Sequence, residues 1–231
     1  MSGKWIRELT ALQKLQRQGL RPLSLLFFIH KIDEVELDTR YMADPRVEVL
    51  RQSVIEAPVI MKGEYPYFIH PLTDGVPSQS AELLSAARDL VYESVNWENV
   101  DIILGIEAMG IPLAAALCLK SGKPLVVGRK REYGLPGETP VDQSTGYSKG
   151  AIYLNDISNG DRVFVIDDVV STGGTLLPVL KAIDSIGATV EDCWIVFEKG
   201  PGMEFVRKHG DWPLNSLVKL EMVGNKVKLL E

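Results

Sequence analysis

Three features of this chain predict an α/β fold built on a mostly parallel sheet. From residue 101 onward, strand-like apolar runs alternate with helical patterns, the order that produces crossover connections. The run at 163–166, VFVI, is apolar throughout rather than alternating, as expected of a strand buried on both faces. The chemistry-bearing residues fall at the carboxyl ends of these runs, where parallel sheets bind ligands.

Taken in order, residues 3–18 (GKWIRELTALQKLQRQ) place Trp5, Leu9, Leu12 and Leu15 at helical spacing. Residues 44–80 are rich in proline and turn residues and read as an irregular lid or subdomain. Residues 81–95 form an amphipathic helix with Ser80 as its cap. A strand is expected at 101–106, a small-residue helix at 112–119 and a strand at 125–127. A long polar loop over 129–149 follows, then strands at 151–154 and 163–166. A helix over 176–186 stops at Gly187, and 189–197 is a strand. The tail, 217–230, reads as a hairpin turning at Gly224 and Asn225.

Composition excludes several classes. The chain has 231 residues, enough for one domain with a small appendage, and 45% of them are hydrophobic against 24% charged. A net charge of −6 argues against broad electrostatic binding of nucleic acid. Cys118 and Cys193 lie in apolar runs, too far apart for a metal motif, and read as reduced core residues. His30, His70 and His209 have no ligand spacing between them. The apolar run at 23–29 is too short to span a bilayer and is followed at once by Asp33, Glu34 and Glu36, so it reads as a buried strand or helix end and the protein as cytoplasmic.

The densest signal is 163–175, VFVIDDVVSTGGT. A buried strand ends in two carboxylates, Asp167 and Asp168. A loop of hydroxyls and glycines follows, and then a helix begins. The first turn of a helix offers amide donors and a positive dipole end to an anion. Gly173 and Gly174 let backbone approach that anion, and Ser171, Thr172 and Thr175 donate hydroxyl hydrogen bonds. The carboxylates repel phosphate but accept from sugar hydroxyls. A plain capped turn accounts for one hydroxyl and one glycine, not for adjacent like charges. A ligand satisfying both halves carries a phosphate and a diol on one small body, such as a ribose 5-phosphate. The other glycine loops do not match commoner nucleotide motifs: Gly105 and Gly110 have P-loop spacing, but Ile111 and Pro112 stand where lysine and Ser/Thr belong.

The 163–175 stretch resembles the phosphoribosyl-pyrophosphate (PRPP) signature of type I phosphoribosyltransferases. The resemblance extends to ILGIEAMG at 103–110, VVGRKREYGLPGE at 126–138 and TGYSKG at 145–150. Over roughly residues 80–200 it is most similar to the archaeal hypoxanthine/guanine branch of the purine enzymes, with the adenine branch second. It implies three parts: an N-terminal extension and small hood over 1–80, a PRPP-binding α/β core over 81–200, and a C-terminal strand or hairpin segment over 201–231. It also implies roles. Val170, Ser171, Thr172, Gly173, Gly174 and Thr175 would hold the 5′-phosphate. Ala108, Met109 and Gly110, in a loop often carrying a strained peptide, would cup pyrophosphate with Arg129 and Lys130, the latter pair acting across a homodimer interface. Asp167 and Asp168 would hold the ribose hydroxyls and order water around Mg²⁺ brought in by PRPP. Tyr133 and Tyr147 would belong to a mobile loop.

Lys199, after the last core strand, would read the purine's exocyclic oxygen, since lysine donates and suits a 6-oxo group better than an amino group. The hood is assigned to 65–76, with Tyr67 and Asp74, by elimination. Two departures leave the proton acceptor open. Ser171 stands where mammalian-type hypoxanthine/guanine enzymes carry an aspartate, and Gly146 where adenine enzymes carry a glutamate. Glu107 and Glu198 are candidates. The expected activity is a purine-salvage glycosyl transfer from PRPP to hypoxanthine or guanine, with adenine as the alternative acceptor. A PRPP-sensing regulator is a third reading, but no helix-turn-helix is evident in the first 40 residues.

Overall fold

The computed structural model describes residues 44–63, 65–144 and 149–230. The expected helix over 3–18, the apolar run at 23–29, His30 and Tyr147 lie outside them. The elements below belong to one unit, Pro45–Glu231.

Six strands form the main sheet, in the order β10-β9-β8-β7-β3-β4. These are β3 (Ile102–Ile106), β4 (Leu125–Gly128), β7 (Arg162–Val170), β8 (Thr189–Lys199), β9 (Leu214–Val223) and β10 (Lys226–Leu229). Every pairing is parallel except β9 with β10, a hairpin that turns at Gly224 and Asn225. The expected mostly parallel sheet is therefore present.

Alternation along the strands sorts the core onto two faces. On one, Leu104, Ile106, Val163, Val165, Cys193 and Ile195 cluster with Leu176, Val179, Leu180 and Ile183 of helix α5 (Leu176–Ile186). Val141, Ile152 and Leu154 of a separate two-stranded ribbon, β5 (Thr139–Ser144) with β6 (Lys149–Leu154), join that cluster. On the other face, Phe164 meets Trp97, while farther along β8 Phe197 meets Phe68 and His70. Helix α4 (Gly110–Ser121) packs there through Gly105, where a Cβ would lie 2.6 Å from the Ala114 Cβ and 2.9 Å from the Gly110 carbonyl oxygen. Helix α3 (Ala81–Ser94) buries Leu83, Ala86, Ala87, Leu90 and Val91, and Ser80 Oγ caps it by accepting from the Leu83 amide at 3.1 Å.

Two stretches differ from the sequence expectation. Residues 44–80 are not an irregular lid throughout. They contain an 11-residue helix, α1 (Pro45–Ile55), an antiparallel hairpin of β1 (Val59–Lys62) and β2 (Tyr65–Phe68), and a one-turn helix, α2 (Pro71–Asp74). Pro45 suits the first helical position, and the helix buries only the narrow stripe Val47, Leu50 and Val54. Residues 129–149 are likewise not all loop, because β5 pairs with β6 through a mostly polar strand in which Val141 is buried. Among the described residues no helix is long and apolar enough to cross a membrane.

The close approach of α4 to β3 leaves no room for a side chain at Gly105. Gly105→Val is expected to cost about 2 kcal/mol or more through overpacking, read as a lower urea midpoint with an unchanged slope.

Candidate active site

β7 carries the acid pair to the carboxyl edge of the sheet. Its pairing with β3 ends at Gly105 and Ile166, whereas its pairing with β8 continues to Val170 and Glu198. The flank that β3 vacates is taken by the first residue of α4. A Cβ on Gly110 would lie 2.9 Å from both Asp167 Oδ1 and the Ile166 carbonyl oxygen. Only glycine permits that approach.

Asp167 and Asp168 are each 8% exposed, and the Asp168 amide donates to Asp167 Oδ1 at 3.0 Å. Burial pushes the Asp167 carboxyl up to about 6, opposed by hydrogen bonds from Asp168 and the charge of Lys130. Burial, then the neighbouring Asp167 charge, raises Asp168 as well. Both carboxylates border a cleft of about 270 Å³.

The loop 171–175 forms one wall of this cleft. Gly173 has φ +78°, and a Cβ there would lie 2.9 Å from the Gly202 carbonyl oxygen. Conversely, a Cβ on Gly202, the first residue of α6 (Gly202–Arg207), would lie 2.7 Å from the Ser171 carbonyl. Backbone packs on backbone here. The loop leads into α5, which has no acidic residue in its first turn and no side-chain cap from Thr175. Its positive dipole end therefore stands at the cleft.

Glu107, Ala108 and Met109 form the facing wall with Lys130. The Glu107–Ala108 peptide is cis. The Glu107 carboxylate accepts from the Lys130 amide at 2.9 Å and lies 3.3 Å from Arg129 Nε. It thus ties the cationic pair to the 107–110 loop. Beyond that pair, Glu138 accepts from the amides of Tyr133 and Gly134 at 3.1 Å and from Asn155 Nδ2 at 2.9 Å. Desolvation acts upward on the Glu138 carboxyl, but these three donors hold it below its usual range.

The roof comes from β2 and α2. Tyr67 and Thr73 border the cleft. Tyr67 Oη donates to Asp74 Oδ1 at 2.6 Å, and Thr73 Oγ1 donates to Asp74 Oδ2 at 2.7 Å. Beneath them His70 is fully buried. Its Nδ1 accepts from the Leu72 amide at 3.1 Å, so Nε2 carries the hydrogen and donates to Ser53 Oγ at 2.9 Å. Burial lowers the His70 imidazole to about 4, against the upward pull of Asp74, and keeps it neutral.

Of the residues singled out from sequence, Asp167, Asp168, Glu107, Ala108, Met109, Lys130, Val170, Ser171, Thr172, Gly173, Gly174 and Thr175 all border one cleft. Gly110, Arg129, Tyr133 and Lys199 do not line it. Gly110 supports Asp167, and Tyr133 is half exposed beside Arg131. Lys199 is 7% exposed, donates from Nζ to the Pro66 carbonyl at 3.1 Å and sits 5.5 Å from the Phe68 ring centroid. Glu198 accepts from Ser216 Oγ at 2.8 Å, away from the cleft. Three contributors were not singled out: Thr73, the buried His70 and the loop-organising Glu138. The one local signal was His70-Pro71, a cap followed by proline at the first helical position.

A model of the phosphoribosyl transferase domain matches residues 79–221. A hypoxanthine/guanine phosphoribosyltransferase of Ferroglobus placidus is 52% identical over 182 residues, covering 79% of this chain and 96% of that protein. One from Methanobacterium paludis is 51% identical over 180 residues, covering 78% and 94%. Among solved structures, adenine phosphoribosyltransferase from Rhodothermus marinus superposes with a TM-score of 0.62 at 24% identity, covering 76% of this chain and 99% of that one. The enzyme from Trypanosoma brucei gives 0.64 at 19%, covering 77% and 80%. At these identities the structural likeness shows the fold.

A carboxyl raised to about 6 in the fold penalises folding once the pH exceeds its ordinary value near 4, most fully above 6. Asp167→Asn is therefore expected to raise Tm by about 3 °C or more at pH 7.5 and to lose most of that advantage by about pH 4, as read by thermal scans at the two pH values.

Proposed function

The chain belongs to the phosphoribosyl transferase domain family, and from that premise we propose that it moves the 5-phosphoribosyl group of PRPP onto hypoxanthine or guanine and releases pyrophosphate. One observation carries the proposal. A buried carboxylate pair and a glycine-hydroxyl loop at a helix N-terminus border the same small cleft, so one ligand can satisfy both. The acceptor bases are those of the relatives about half identical to this chain.

The chain's own groups divide the work. Loop 170–175 binds the 5′-phosphate through amides and hydroxyls. Asp167 and Asp168 accept from the two ribose hydroxyls and so orient C1. Ala108 and Met109, with Lys130 and Arg129, receive the pyrophosphate. Glu107 acts by positioning, because its carboxylate is engaged with the Lys130 amide and Arg129. Lys199 holds the β1–β2 hairpin through the Pro66 carbonyl, which fits a role in placing the roof. Catalysis of this kind needs position and exclusion of water rather than a protein nucleophile.

Mg²⁺ fits the donor set. Among the described residues no group of three or more His, Cys, Asp or Glu side chains is placed to hold a metal ion. Two carboxylates at a phosphate cleft instead suit an ion that keeps its waters and arrives on the substrate's phosphates, with Asp167 and Asp168 holding it through water. When bound, it neutralises the leaving pyrophosphate. A cytoplasmic homodimer completes the proposal, and a sizing column with light scattering tests its assembly.

Turnover with PRPP and Mg²⁺ is the direct test, with hypoxanthine, guanine, xanthine and adenine assayed side by side. Hypoxanthine and guanine are expected to exceed adenine by at least about tenfold in kcat/KM. Preferred use of adenine would overturn the assignment of the base. Asp167→Asn combined with Asp168→Asn is expected to lower turnover by about a thousandfold or more with an unchanged circular dichroism spectrum, and full activity would sink the site.

A further inference from the structure

A purine that forms a bond to C1 through an imidazole nitrogen must give up a proton, and the carboxylates considered so far are committed elsewhere. Asp167 and Asp168 are assigned to the ribose hydroxyls, Glu107 holds Lys130 and Arg129, Glu138 organises the 133–138 loop, and Glu198 does not border the cleft. Asp74 remains. It does not line the cleft itself, but it is hydrogen-bonded by the hydroxyls of two residues that do, Tyr67 and Thr73.

Tyr67 Oη donates to one oxygen of Asp74 at 2.6 Å and Thr73 Oγ1 to the other at 2.7 Å. Because both hydroxyl hydrogens are directed at a carboxylate, their oxygens offer a ligand acceptance rather than donation. The roof is therefore a surface for N–H groups. It is also a held one. The His70 amide donates to Asp74 Oδ2 at 3.0 Å, and Lys62 Nζ sits 3.5 Å over the Tyr67 ring. Lys199 grips the Pro66 carbonyl immediately before Tyr67. The walls of the cleft assigned to phosphate, ribose and pyrophosphate leave this roof as the polar side against which a base would lie. That placement rests on the transferase reading above.

The geometry points to Tyr67 and Asp74 as a proton relay for the transfer step. As the purine nitrogen bonds to C1, the C1–O bond to pyrophosphate breaks and pyrophosphate leaves with its electron pair. The proton from the purine's imidazole passes to Tyr67 Oη, and the phenol's own proton passes to Asp74 Oδ1. The result is a neutral carboxylic acid, a restored phenol and an uncharged nucleotide base. The short Tyr67–Asp74 bond already lies along the path this transfer needs. A phenol suits the relay better than the Thr73 alcohol, whose proton is far less acidic, so Thr73 holds the second carboxylate oxygen.

The test compares wild type, Tyr67→Phe, Asp74→Asn and the double variant, using PRPP, Mg²⁺ and hypoxanthine. Tyr67→Phe keeps the ring and its contact with Lys62. Each single variant is expected to lose about 100-fold in kcat, with KM for PRPP within about twofold of wild type. The double variant is expected to be no worse than the poorer single one, because the two groups act as a unit. A merely structural role would instead raise KM and lower Tm while leaving losses additive. If Asp74→Asn fails to fold, Tyr67→Phe alone decides. Wild-type turnover with Tyr67→Phe within about threefold of it overturns the relay and leaves the transferase reading standing. Absence of wild-type turnover on every purine overturns the transferase reading itself.

Discussion

Two adjacent carboxylates, each 8% exposed, sit at the end of the central strand, and much of the site's construction follows from that placement. Burial and mutual repulsion both oppose ionisation, so the unliganded fold carries them at a cost. The cost is tolerated because the surroundings are rigid. β8 continues beside β7 past the point where β3 leaves, and α4 closes the vacated flank through Gly110. Under the proposed function, hydroxyl donors on a ligand would offset that cost.

Around that pair the walls are set by backbone rather than by side chains. The 171–175 loop rests on the start of α6 through Gly173 and Gly202, and the 107–110 loop is tied to the Arg129/Lys130 pair by the Glu107 carboxylate. Backbone contacts of this kind have few alternatives, since neither rotamer changes nor small shifts relieve them. The loops are in turn anchored to buried elements. α5 drives Leu176, Val179, Leu180 and Ile183 into the core directly behind the 171–175 loop. Precision at the cleft is thus inherited from hydrophobic packing a few residues away.

The roof obeys a different logic. Its polar groups are joined in a chain from Tyr67 and Thr73 through Asp74 to the His70 backbone, and the buried His70 ring links the turn to Ser53 of α1. Every donor in that chain has a directed acceptor, as a network this far inside the protein requires. Neutral His70 suits such a core, whereas a charged imidazole would carry an Nδ1 hydrogen facing the Leu72 amide donor. The roof, the sheet edge and the 171–175 loop meet although residues 67 and 171 are more than a hundred positions apart.

The parallel sheet, the acid pair and the glycine-hydroxyl loop that borders the same cleft were legible in the sequence because each is local. A buried strand is apolar along its length, a helix N-terminus that receives an anion needs glycine and hydroxyl residues within one turn, and two adjacent aspartates after such a strand call for a ligand. The capped helix α3 and the closing hairpin were legible for the same reason. What only the tertiary structure decided are the long-range partnerships. These include Glu107 on the Lys130 amide, Lys199 on the Pro66 carbonyl and the Asp74 carboxylate shared by Tyr67 and Thr73. They also include the helix α1 and strand β5, whose few buried residues leave only a weak periodic pattern. A residue's type limits what bonds it can make, but its partner is chosen by which chain segments the packed core brings within 3 Å, and that depends on the whole fold at once.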